Sequence, residues 1–104
     1  MKNSIAHRRL SFSKKGEEIR SDLTIYIGVP KFVSPSSLPF EADVEMAVCD
    51  LEIIGFEEPY TQSMIGADLL QAIQLATNVD PILKGFSKMY DIYYEDGEPY
   101  FEPE

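Results

Sequence analysis

Leu23, Ile25, Ile27 and Val29 take every second position of one stretch, with Thr24 and Tyr26 between them. Successive side chains of a strand point to opposite faces, so this spacing specifies a strand with one apolar face. Such a face is stable only when another element covers it, which commits the chain to a sheet with a packed second layer. The pattern returns at Ala47, Cys49, Leu51 and Ile53, alternating with Val48, Asp50, Glu52 and Ile54, in a strand predicted from about Val44 to Ile54. Gly55 and Glu57-Glu58-Pro59 close it.

Other stretches read the same way. Ile5 to Ser13 is a predicted first strand with Leu10 and Phe12 on one face, and Lys14-Lys15-Gly16-Glu17 is the turn that follows it. Pro30 ends the second strand or marks a sheet edge. Residues 30–40 hold Pro30, Pro35, Pro39, Ser34, Ser36 and Ser37 and read as a loop inside one domain, since neither flank is long enough to be a domain alone. A fourth strand spans Lys88 to Tyr94, with Tyr90, Ile92 and Tyr94 on its inner face. Asp96-Gly97 then signals a tight turn into a short return at Pro99-Tyr100-Phe101.

One helix stands out. Ile65, Leu69, Ala72, Ile73 and Ala76 form a single stripe, while Asp68, Gln71, Gln74 and Asn78 fall opposite. Ser63 is the expected N-cap and Asn78 the expected end. Asp80-Pro81 predicts a cap and first turn of a short second helix reaching about Gly85. The order β-β-β-α-β predicts an α+β fold for residues 1–104 as one domain. It has a single-layer, mainly antiparallel sheet of four to five strands with one main helix on one face. Whether the third and fourth strands run parallel is open at this stage.

With 104 residues, 44% hydrophobic content and twelve Phe and Tyr, the chain can bury a core without disulfides or metal. Its formal charge of −9 disfavours nucleic acid and anionic membrane surfaces as partners and permits a basic protein. The charge is uneven: the first twenty residues carry six Lys and Arg against two acids. The start lacks the apolar run of a signal peptide, and no stretch matches a membrane span, so the expected location is cytoplasmic.

Candidate chemistry is sparse. Cys49 and His7 are single representatives of their types. Cys49 shares the apolar strand face and is expected to be an inert core residue. His7 stands beside Arg8 and Arg9 on a predicted edge strand, where a solvated role fits best. Zinc needs clustered Cys and His, and the acids near the C-terminus lack calcium-loop spacing, so no metal, cofactor or catalytic residue is assigned.

Three features could bind a partner. The sheet face away from the helix would show Tyr26, Val48, Asp50, Glu52, Ile54, Asp91 and Tyr93. The stretch Phe86–Phe101 interleaves six aromatics with acids, and a partner-binding set of Asp91, Tyr93, Glu95, Asp96, Glu98 and Tyr100 is predicted there. Lys2, Arg8, Arg9, Lys14, Lys15 and Arg20 are expected to pair with the acidic body and to guard an edge strand.

Several segments together carry a resemblance. They are Ile5-Ala6-His7-Arg8, Ile27-Gly28-Val29-Pro30, Cys49-Asp50-Leu51-Glu52-Ile53-Ile54-Gly55, and the run from Gly66-Ala67-Asp68 to Ala76. The chain resembles a family of short uncharacterised bacterial α+β domains, which brings no catalytic residues to carry over. In size, acidity and simplicity it is also similar in type to bacterial toxin-immunity proteins. The resulting expectation is a non-enzymatic interaction domain, an immunity-type inhibitor of a basic toxin or other basic protein. The alternative is a homodimeric structural or small-molecule-binding domain that uses the open sheet face. An enzyme built on dispersed carboxylates is the least supported reading.

Overall fold

The computed structural model describes residues 3–34, 36 and 45–102. The elements are β1 (Ser4–Lys14), β2 (Ser21–Gly28), β3 (Lys31–Val33), β4 (Met46–Ile54), β5 (Tyr60–Gly66), α1 (Leu69–Thr77), α2 (Asp80–Phe86) and β6 (Tyr90–Tyr94). The fold is α+β, with α1 as the main helix on an open sheet. Six strands form that sheet, against the four to five expected, and every ladder is antiparallel. The predicted third and fourth strands (β4 and β6) are not neighbours, and the antiparallel steps through β2 and β1 leave them running in opposite directions.

Across the sheet the order is β6, β1, β2, β4, β5. β3 runs beside β4 on the edge that β2 uses, because Ala47 and Val48 already have β5 on their other side. Ile27 opposes Leu51, yet Lys31 opposes Val48, so β3 continues the line of β2 with one extra residue absorbed around Val29-Pro30. That slip turns Val29 outward, 54% exposed, where alternation had placed it inside. It also puts a strand within the predicted loop. Pro35, Ser37, Pro39 and the predicted strand start at Val44 lie outside the described residues.

Most of the core is the set the alternation predicts, Val29 and Tyr94 excepted. Leu23, Ala47, Cys49, Leu51 and Ile53 have no exposed surface, and Leu10, Phe12, Ile25, Ile27, Tyr90 and Ile92 are buried beside them. Ala72 and Ala76 of α1 press on β4 and β5, their small side chains letting the helix approach closely. At the other end, Phe56 stacks between Phe86 and Tyr90 at 4.5 and 4.6 Å, and Phe12 meets Phe56 edge-on at 4.9 Å. Aromatic pairs at these separations are favourable beyond the area they bury.

β5 is the main departure from expectation. Ser63 is a strand residue, not a helix cap: its hydroxyl donates to Asp50 at 2.6 Å across the ladder. Ile65 likewise belongs to β5. Asp68 is the true N-cap, accepting from the Gln71 amide at 2.7 Å, while the Gln71 side chain accepts from Ala67 N–H at 2.6 Å. This reciprocal arrangement satisfies donors that the first helical turn cannot. Gly66 permits the tight reversal between them, since a Cβ there would lie 2.6 Å from the Ala72 nitrogen.

The remaining boundaries move slightly. Asn78 ends α1 as expected. α2 has Val79 at its N-cap position with no side-chain bond, and Asp80 is its first helical residue. β6 begins at Tyr90 instead of Lys88. β1 is an edge only from Ser4 to Arg9, because β6 flanks it from Leu10 to Lys14.

Candidate functional site

The predicted partner-binding residues sit on β6 and the turn after it. Once past Tyr94 the chain reverses through Glu95-Asp96-Gly97, with Gly97 at φ 92, a conformation natural to glycine. Four hydrogen bonds fix this turn. Gly97 N–H donates to Tyr94 C=O at 3.0 Å, and Tyr94 N–H donates to Glu98 C=O at 2.8 Å. The Asp96 carboxylate accepts from Glu98 N–H at 2.9 Å, and Tyr100 N–H donates to Ile92 C=O at 2.9 Å. The predicted returning strand is reduced to a single bridge between Tyr93 and Pro99.

Three of the six residues are engaged by the basic start of the chain. Lys15 forms an ion pair with Asp91 at 3.1 Å. The Arg20 guanidinium lies 3.7 Å from the centre of the Tyr93 ring. Arg8 donates to the Tyr100 hydroxyl at 2.7 Å, and that hydroxyl in turn donates to Asp80. Burial, reinforced by the bond to Asp80, pushes the Tyr100 pKa up to about 12 against the opposing pull of Arg8. Tyr100 also packs on Tyr94 and Phe101 at 4.8 and 5.0 Å.

The internal pairing expected of the basic residues is present only in part: Lys15 meets an acid, whereas Arg8 and Arg20 meet tyrosines. Lys2 lies outside the described residues. Glu95, Asp96 and Glu98 remain exposed at the turn. Tyr94, expected in the core, is instead 43% exposed, with Tyr100 packed against one side of its ring.

Along the chain the charges are segregated in a way that reading from the termini misses. Between Lys31 and Lys84 there is no Lys, Arg or His, and there are nine Asp and Glu. Nine is the whole net charge, so the rest of the chain is neutral. This base-free span supplies β4, β5 and α1. Asp50 and Glu52 lie on its sheet face away from the helices, opposite Ser63 and Thr61 of β5. A count of charge in windows of element length would have found it.

The ladders also place Tyr26, Val48, Ile54, Asp91 and Tyr93 on the sheet face opposite the core. Cys49 and His7 occupy opposite faces, separated by the sheet. The Cys49 thiol has no exposure and donates to Gly28 C=O at 3.3 Å; burial, with Asp50 adding to it, pushes its pKa up. Both effects oppose thiolate formation, so this thiol is a poor nucleophile. His7 is exposed, its ring 6.3 Å from that of Tyr26. Among the described residues, no three of His, Cys, Asp and Glu are grouped to hold a metal ion. Nor is any helix among them long and apolar enough to cross a membrane.

Fold and surface together define an α+β domain with one covered and one open sheet face and a strongly segregated negative charge. Comparison with protein-family models, with curated proteins and with solved structures finds no match.

Proposed function

We propose that this domain is a non-enzymatic protein-interaction module, an immunity-type inhibitor that acts in the cytoplasm on a basic toxin or other basic protein. The observation that carries the reading is the acidic turn. Glu95, Asp96 and Glu98 project from a reversal held by main-chain bonds, so little ordering entropy is lost when a partner docks. Asp91, Tyr93 and Tyr100 form the base of the turn and are oriented by Lys15, Arg20 and Arg8. Long-range attraction from the net charge of −9 speeds encounter with a cationic surface.

The test is the association rate with a cognate basic protein. Replacing Glu95 and Glu98 by Gln and Asp96 by Asn keeps the Asp96 cap geometry while removing three charges. The triple variant is expected to associate about tenfold more slowly at low salt and to lose most of its salt dependence. Unchanged rate constants reject the assignment.

A second reading has one observation in its favour. Val48, Ile65 and Tyr26 are half-buried on the open sheet face, and Ile54 is 38% exposed there. An apolar band of that kind suits a homodimer or a small-molecule site. A dimer stable to micromolar dilution in sedimentation velocity would favour it over the inhibitor.

A further inference from the structure

Among the described strands, β5 pairs only with β4, leaving its outer main-chain edge from Tyr60 to Gly66 without a neighbour. The edge is long and regular: seven residues in unbroken register, with no charge and no proline. Exposed strand edges are normally blunted by charges, proline, bulges or a covering segment. The edges at β1 and β6 follow that rule. The outer edge of β1 carries Arg8 and Arg9 and is bulged between Ser4 and Ala6, and β6 is covered by the return through Pro99 and Tyr100. Among the described residues β5 has none of these devices, and Thr61, Gln62 and Ser63 are exposed.

Charge selects the occupant. The edge lies in the base-free span. Asp50 and Glu52 stand one strand inward on the open face, Glu57 and Glu58 precede β5, and Asp68 follows it. A second copy pairing antiparallel about Ser63 would bring Glu58 of one chain opposite Asp68 of the other, so self-association is opposed at both ends. A strand added beside β5 lies about 10 Å from β4, within reach of Lys or Arg side chains directed at Asp50 and Glu52.

We infer that β5 is a strand-addition site for an extended segment of a partner protein that alternates basic with small or β-branched residues, its basic side chains on the face of Asp50 and Glu52. Main-chain bonds to β5 supply affinity, and the flanking acids supply selectivity. This deepens the reading of a basic partner by giving the conformation of the docked segment and a place separate from the turn at Glu95–Glu98.

The test uses the full chain and a fluorescein-labelled peptide alternating Lys with Thr, with its Glu–Thr counterpart as control, read by fluorescence anisotropy. The Lys peptide is expected to bind and the Glu peptide not, with amide exchange slowed at Thr61–Ile65. Asp50→Asn with Glu52→Gln should weaken binding about fivefold at low salt, while the amide oxygen placed at position 50 can still accept from Ser63. Gln62→Pro and Ser63→Pro divide the two possible amide directions; the one whose N–H points outward should fold and fail to bind. Neutralising Glu95, Asp96 and Glu98 should weaken peptide binding less than neutralising Asp50 and Glu52 does, and should leave the slowed exchange at Thr61–Ile65 in place. Equal binding of both peptides, or protection at Thr61–Ile65 in a self-associated free protein, overturns the inference. Loss of binding only in the turn variant also overturns it while leaving the turn as the partner site.

Discussion

Tyr100 joins three distant parts of the chain, accepting from Arg8 of β1, donating to Asp80 of α2 and packing on Tyr94 of β6. Its protonated form is the one that burial and the bond to Asp80 favour, which is why its pKa rises from 10.0 to about 12. A folded pKa above the unfolded one means that the stabilisation is complete below the ordinary tyrosine range and is lost as pH climbs through about 12. Titration of phenolate absorbance should accordingly show a late step from Tyr100, and Tyr100→Phe should remove that step. If the late step persists in the variant, the assignment is wrong. The role of Tyr100 was half legible in the sequence: the residue was selected as a surface aromatic, but its partners lie 92 and 20 positions away, and no local pattern reports such contacts.

At the scale of elements, legibility followed burial. β4 alternates strictly because its inner face is closed by α1 while its outer face stays open, so Ala47, Cys49, Leu51 and Ile53 announce the strand. Replacing Leu51 with Ala should lower unfolding stability by about 2–5 kcal/mol in chemical denaturation, the range for a fully buried leucine. β5 carries no such signal. Its exposed Thr61-Gln62-Ser63 stretch needs no apolar alternation, and Ile65 falls by coincidence four residues before Leu69, in helical step. The cap followed the same error, and the structure assigns it to Asp68. Asp68→Ala should cost about 1 kcal/mol, and Ser63→Ala should leave the helix N-terminus unaffected. β3 was hidden for a different reason: three residues after Pro30 are too few for periodicity, and only the neighbouring β4 makes them a strand.

Taken whole, the molecule divides electrically. Outside the base-free span, the bases of the chain start together with Lys31, Lys84 and Lys88 balance the acids of the chain start, β2, β6 and the C-terminal return. The net negative charge falls between Lys31 and Lys84, the span that includes β4, β5 and α1. The basic start thus serves as the counter-surface of the C-terminal hairpin, and acids face outward at the Asp96 turn and along β4–β5. Beside the acidic turn, this segregation supports the proposal of a cationic partner. The most direct measurement is a backbone chemical-shift titration of the full chain with the Lys–Thr peptide at low and high salt. The account predicts perturbations centred on β4 and β5, fading as salt screens the charges. Perturbations centred on Ser4–Arg9, or shifts indifferent to salt, would contradict it.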